Sequence, residues 1–234
     1  RLIDVVSAVN KNCIVILSSG EVCEMPWRHQ VSAVLLTWFS GEGMGSAIAD
    51  ILFGKVSPSG RLANTVPERL QDTPAYLSFD GNVYEIPYAE DIYVGYRYYE
   101  KKGIQPAYPF GYGLSYTSFV YSDLQITPKE QGVQGEVNIS CRVKNTGKVK
   151  GDEVVQLYLR DEVSSVTTYT KVLRGFERIS LEPGEEKIVR FKLRPQDLGL
   201  WDKNMNFCVE PGSFKVMVGA SSADIRLEGS FEII

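Results

Sequence analysis

The chain has one histidine, four cysteines and three tryptophans among 234 residues. A single histidine cannot build a multi-histidine metal centre, and no CxxC or HExxH spacing offers a substitute. No metal site and no cofactor are therefore expected. His29 has no G-x-S-x-G elbow to serve in a hydrolase triad, so it reads as a loop residue. Positive charge is thin as well. Twenty-five Lys and Arg face 29 Asp and Glu, a net charge of -4 without basic clusters, which speaks against nucleic acid as a partner. No apolar run approaches the roughly 18–20 residues that a membrane helix needs, so no spanning segment is expected. Cys13 and Cys23 flank an apolar run and are expected to be buried thiols. Cys141 falls on the apolar side of an alternating run and Cys208 on the opposite side of its own. A Cys141–Cys208 bridge is not favoured, and the redox compartment stays open.

What the chain does contain is core material. It is 44% hydrophobic and 11% aromatic, with 13 Tyr and 10 Phe, which excludes a disordered polypeptide and suits one large domain or two small ones. It begins Arg1-Leu2-Ile3, without Met or a signal-like stretch, which suggests that something has been cut away.

The first 60 residues read as α/β. Leu2, Val5, Val6 and Val9 fall at i, i+3, i+4 and i+7, an amphipathic helix ending at Asn10-Lys11-Asn12. Residues 13–17 and 33–39 are continuous apolar runs, the pattern of strands buried on both faces. A helix follows the second run, with Ser46 as its N-cap, Ala47, Ile48, Ile51 and Leu52 on one face, and Gly54 as its stop. Two doubly buried strands need helices on both sides of a larger sheet, yet only two helices are on offer. The sheet should be incomplete, its missing strands upstream or in another chain. Residues 73–115 are aromatic and punctuated by turn signals such as Pro74, Asp80-Gly81, Pro87, Pro106 and Pro109. So long a segment is expected to wrap against a neighbour across a domain boundary. From Phe119 the period becomes two: Val137/Ile139/Cys141/Val143, Val155/Leu157/Leu159, Val189/Phe191/Leu193 and Phe214/Val216/Val218. Asn145-Thr146-Gly147, Glu182-Pro183-Gly184 and Glu210-Pro211-Gly212 supply turns. About seven short strands in this span indicate an immunoglobulin-like or fibronectin type III-like sandwich.

The fold class is thus α/β plus all-β. A partial α/β sandwich with buried parallel strands (1–72) is joined by an aromatic wrapping linker (73–115) to a β-sandwich (116–234). Candidate chemistry sits at the strand ends of the first part. Gly41-Glu42-Gly43-Met44-Gly45-Ser46 is a glycine-rich strand-to-helix turn able to present backbone N–H groups. The third glycine of a dinucleotide fingerprint is misplaced there, and no acidic residue closes a strand about 20 residues on. The turn reads instead as a tight connection or as a wall for an uncharged ligand. Glu21 follows the first strand and Glu42 the second, which puts both toward one sheet edge, where paired carboxylates could act on a glycosidic bond. Trp27 and Trp38 could stack on a sugar, although Trp38 reads as core; Trp201 reads as a seal on the sandwich edge.

Several linked motifs resemble glycoside hydrolase family 3. They are Trp38 through Gly54, Pro58-Ser59-Gly60-Arg61-Leu62, Ile92-Tyr93-Val94-Gly95-Tyr96-Arg97-Tyr98-Tyr99 and Pro109-Phe110-Gly111-Tyr112-Gly113-Leu114-Ser115-Tyr116. Lys171-Val172-Leu173-Arg174-Gly175-Phe176, followed by Leu181-Glu182-Pro183-Gly184-Glu185, is similar to the family's C-terminal fibronectin type III-like domain. The resemblance spans the whole chain. It implies a retaining β-glycosidase of β-glucosidase or β-xylosidase type, whose Asp nucleophile sits in a preceding barrel and whose acid/base Glu lies upstream of Arg1. No catalytic residue maps onto this chain. The family's Pro-Gly-Gln-Glu-Gly loop aligns with Ser40-Gly41-Glu42-Gly43-Met44, so its Glu position is Gly43 and Glu42 is displaced by one. Glu-Gly-Ile likewise becomes Glu90-Asp91-Ile92. Glu42, Gly43 and Glu21 are carried forward as candidate substrate-binding residues of outer sugar subsites. The expected partner is an oligosaccharide or glycoside reached through upstream domains, homo-oligomerisation stays open, and a periplasmic or secreted setting is a working expectation. The rival reading is a non-catalytic carbohydrate- or protein-binding module.

Overall fold

A computed structural model describes residues 1–79 and 85–234; the Asp80-Gly81 turn expected from the sequence lies outside them. Helix α1 (Leu2–Val9) leads into strand β1 (Ile14–Leu17), which pairs in parallel with β2 (Ala33–Leu36), and helix α2 (Met44–Leu52) follows. Register is regular, Ile14 opposite Ala33 through Leu17 opposite Leu36, so both strands end at one edge.

This parallel pair bears out the expected α/β start but corrects its burial. Ile14 and Ile16 are 48% and 40% exposed, so one face of β1 is bare rather than covered. The α1 stripe of Leu2, Val5, Val6 and Val9 is exposed too, while the small Ser7 is the buried residue of that helix. The second strand stops at Leu36 instead of reaching Phe39. Trp38 adopts a left-handed φ of 52°, which takes the chain out of the extended region, and Phe39 is left exposed. Cys23 is exposed and Cys13 half-buried, both lying in the loops that flank β1 and not in the strand itself; neither is the buried thiol expected. All four cysteines are free.

The sandwich occupies the C-terminal half. Its strands are β3 (Phe119–Thr127), β4 (Glu130–Gln131), β5 (Val137–Asn145), β6 (Gly151–Asp161), β7 (Val172–Leu181) and β8 (Glu186–Leu193). A short helix α4 (Pro195–Leu198) and a small hairpin, β9 (Leu200–Trp201) with β10 (Phe207–Cys208), precede β11 (Gly212–Gly219) and β12 (Ile225–Ile233). A five-stranded sheet, ordered β4-β12-β11-β6-β7, faces a three-stranded sheet, ordered β3-β5-β8. The alternating positions read from sequence form the core: Val137, Ile139, Cys141 and Val143 meet Val155, Leu157, Val189, Leu193, Phe214, Val216 and Val218, all buried. Phe214 and Phe231 stack with centroids 5.4 Å apart. Burying a side chain of that size contributes about 1.5–3 kcal/mol. Asn145 opens the turn that the sequence marks. Fully buried, it donates from Nδ2 to the carbonyls of Val149 and Leu181 and accepts the Gly147 N–H on Oδ1. Trp201 does not seal the edge; it is 59% exposed and packs edge-to-face on Phe207.

The aromatic segment makes contacts on both sides of it in sequence. Its C-terminal end is tied to the stretch that precedes it: Leu62 N–H donates to Tyr112 O, Gly111 N–H to Leu62 O, and Val66 bridges Tyr108. Between them, helix α3 (Tyr96–Lys102) lies on the outer face of the five-stranded sheet. Gly95, at φ 55° before the helix, and Gly103, at φ 64° after it, supply turns that few other residues tolerate. Tyr96 packs on Phe110, Tyr158 and Met217, and its hydroxyl accepts the Leu173 N–H at 2.9 Å. In consequence both faces of β6 are buried from Val155 to Leu159, one by the sandwich core and the other by the strap.

Candidate functional site

The parallel register sets the loops after β1 and β2 side by side. Thr37 donates from both N–H and Oγ1 to Leu17 O, at 2.9 and 3.0 Å, and Ser18 Oγ donates to Trp38 O at 3.0 Å. Gly20 lies under the Phe39 ring so closely that an added Cβ would sit 2.8 Å from Cε2. The rim is therefore a tied pair of loops, and it carries Glu21 from one and Glu42 and Gly43 from the other. All three residues are exposed, and no hydrogen bond or ion pair joins the two carboxylates among the described residues. The edge is shared; no enclosed pair of acids forms on it.

Gly43 has a structural task that the sequence reading assigned elsewhere. Helix α2 begins at Met44 with Gly43 as its N-cap, three residues before the expected cap. Ser46 Oγ donates to Gly43 O at 3.2 Å instead of receiving backbone N–H groups. A hydroxyl inside the first turn bonds back to a carbonyl this way because its backbone is already helical. Gly41, at φ 72°, makes the turn that feeds the helix. Past the helix, Gly54 at φ 72° ends it as expected. Trp38 is half-buried at the rim, and Trp27 sits half-buried beside a 3-10 turn, Arg28–Gln30, that carries the exposed His29.

The polar groups that fix this rim relative to the sandwich were not singled out from sequence. Arg61, in the Pro58-Ser59-Gly60-Arg61-Leu62 motif, donates from Nη2 to Glu153 Oε2 at 2.8 Å. Their side chains are 8% and 3% exposed. Tyr121 donates its hydroxyl to the other Glu153 oxygen at 2.7 Å, and Arg226 stacks over the Tyr121 ring. Burial, then the adjacent Glu153 charge, holds the Tyr121 hydroxyl far above its ordinary range, so it stays a donor. The signal was readable: Glu153 stands in phase with Val155, Leu157 and Leu159, an acid at an inward strand position. Arg28 grips Glu68 with two 2.7 Å contacts, and Arg178 joins Asp152 to Ser59. A second buried pair, Lys171 with Glu100 at 2.8 Å, ties α3 to the start of β7. Gln156 donates to Gly111 O and Ala220 O, and accepts the Tyr158 hydroxyl.

Among the described residues no group of three or more His, Cys, Asp or Glu could hold a metal ion, and no helix is long and apolar enough to cross a membrane.

Residues 1–116 match the family description "Glycosyl hydrolase family 3 C-terminal domain", and residues 153–222 match "Fibronectin type III-like domain". The chain is 45% identical to the thermostable beta-glucosidase B of Acetivibrio thermocellus over 234 residues, all of this chain and 31% of that protein. It is 43% identical to a beta-glucosidase of Bacteroides ovatus, again over its whole length and 32% of the relative. A solved beta-glucosidase of Kluyveromyces marxianus in complex with glucose superposes with a TM-score of 0.92 at 41% identity, covering 100% of this chain and 28% of that one. The chain belongs to glycoside hydrolase family 3. It spans about a third of the length of the curated relatives that it matches and corresponds to their C-terminal portion.

Proposed function

We propose that this chain is the C-terminal portion of a retaining β-glycosidase, β-glucosidase-like, that hydrolyses terminal β-linked sugars of oligosaccharides or glycosides. One observation carries the reading. The relatives matched along the entire chain are beta-glucosidases, and the face that the chain leaves uncovered is the apolar one of a two-stranded sheet. In the parent reaction one carboxylate attacks the anomeric carbon while a second assists departure and then activates water. Both belong to polypeptide other than this chain. Its own residues would hold the rim: the Thr37 and Ser18 hydrogen bonds fix the two loops, and Glu21, Glu42 and Gly43 would wall outer sugar subsites.

Two measurements test this. The isolated chain should not hydrolyse nitrophenyl β-glucoside above background. A chimera in which the chain replaces the matched third of the Acetivibrio thermocellus enzyme should hydrolyse it. Activity in the purified chain alone, or a folded but inactive chimera, would overturn the reading. Retention of the chain on insoluble polysaccharide, with an inactive chimera, would favour a binding module instead.

A further inference from the structure

Between helix α3 and the outer face of the sandwich lies a cavity of about 250 Å3. Liquid water takes about 30 Å3 per molecule, so the space is several times larger than one water site. It is smaller than the roughly 300–1,000 Å3 of pockets for drug-sized ligands. Its walls are of two kinds. Tyr96 and Tyr99, 9% and 5% exposed, give it aromatic surface. Thr65, Glu100 and Lys171 give it polar atoms.

Those polar atoms are short of partners. Glu100 Oε2 and the hydroxyl of Thr65 have no hydrogen-bond partner among the described residues, and both are shielded from solvent. Lys171 Nζ stands 2.8 Å from the other oxygen, Glu100 Oε1, and balances its charge. Leaving buried acceptors unmade is costly, more so for an ion. Burial accordingly pushes the Glu100 carboxyl above its ordinary value, against the pull of Lys171.

The balance of charges selects the occupant. A cation would face Lys171 and an anion would face Glu100, while an apolar molecule would leave Glu100 Oε2 and the Thr65 hydroxyl without partners. We infer that the cavity is a binding site for a small neutral polyol, up to one sugar ring, whose hydroxyls donate to Glu100 and Thr65 while its carbon face lies on the tyrosines. Aromatic surface beside a few placed polar groups suits such a molecule. The site does not depend on the proposed glycosidase role, because it lies within this chain and needs no hydrolysis.

The experiment titrates the full chain with glucose and, separately, with glycerol, reading amide NMR shifts and heat of binding. Glucose should shift the Tyr99, Gly103 and Ala223 amides saturably at millimolar concentration. Thr65→Val keeps the shape of the side chain, removes one hydrogen bond and should weaken binding about fivefold. Ala223→Phe, at the exposed mouth, should abolish it with the rest of the spectrum unchanged. Glucuronate, which adds a negative charge, should bind at least about tenfold more weakly than glucose. The inference fails if glucose produces no saturable shift at concentrations on the order of 100 mM. It also fails if the two substitutions leave binding unchanged in folded protein, or if glucuronate binds as well as glucose. Loss of these shifts would leave the chimera result untouched, so the two proposals fail separately.

Discussion

Replacing Glu153 by Gln tests how the two halves of the chain are held together. Arg61 and Glu153 are 8% and 3% exposed, so solvent screens their pairing little, and the Arg61 Nε has no partner to share its charge. The amide of Gln would still accept the Tyr121 hydroxyl, which donates to Glu153 at 2.7 Å, but would leave the guanidinium buried and uncompensated. Removing one member of such a pair costs about 3–5 kcal/mol. For a chain of this size each kcal/mol moves the melting temperature by about 2–4 °C, so a fall of about 6–20 °C is expected. Arg61→Met combined with Glu153→Gln removes both charges and should recover most of the loss, since an ion pair replaced whole is often neutral. The assay is urea unfolding of wild type, both single variants and the double variant, with the coupling taken from the cycle. A single-variant loss below about 1 kcal/mol, or a double variant as unstable as the sum of the singles, would refute the reasoning.

Other outcomes follow from the same structure. Tyr96→Phe strips the acceptor from the Leu173 N–H and should cost about 1–3 kcal/mol in urea unfolding, without changing the aromatic packing. Gly111→Ala meets a left-handed φ of 81° and drives the new Cβ into the Gln156 amide, so the variant should be markedly less thermostable than Gly132→Ala, where a Cβ meets open space, at equal expression. Iodoacetamide followed by mass spectrometry should label exposed Cys23 early and Cys141 only on unfolding, because burial pushes the Cys141 thiol up to about 11 and covers it. Glu100 is raised by burial, so its contribution to stability is complete below the ordinary carboxylate pKa and is lost as pH rises through the folded value. Glu100→Gln should therefore flatten the stability-pH curve above pH 4.5, and an unchanged slope there would contradict the assignment.

Legibility divided along the two halves. In the sandwich, one face of each strand is buried by its own domain, so alternation such as Val137/Ile139/Cys141/Val143 predicts the core directly. The α/β start obeys a different rule. Its apolar runs indicate strands buried on both faces, while Ile14, Ile16 and the Val5–Val9 side of α1 stand in the open. Boundaries failed where one backbone angle decided them: Trp38 ends β2 early, and Gly43 rather than Ser46 caps α2. Parallel pairing puts the loops that carry Glu21 and Glu42 at one edge, but convergence of side chains depends on loop conformation and leaves no periodic trace. The Glu153 and Glu100 pairs were missed because each joins residues far apart in the chain, 92 positions in the case of Arg61 and Glu153.

The sandwich strand carrying Gln156 and Tyr158 is covered on both faces from Val155 to Leu159, and this limits how the module can travel between genes. An immunoglobulin-like unit is commonly portable because its outer surface is polar and self-sufficient. Here a recombination break placed at the start of β3 would strip Tyr158 and Met217 of their cover and yield a sticky, aggregation-prone piece. Any inheritance of this sandwich as a working unit has to bring the strap from Gly95 to Gly113 with it.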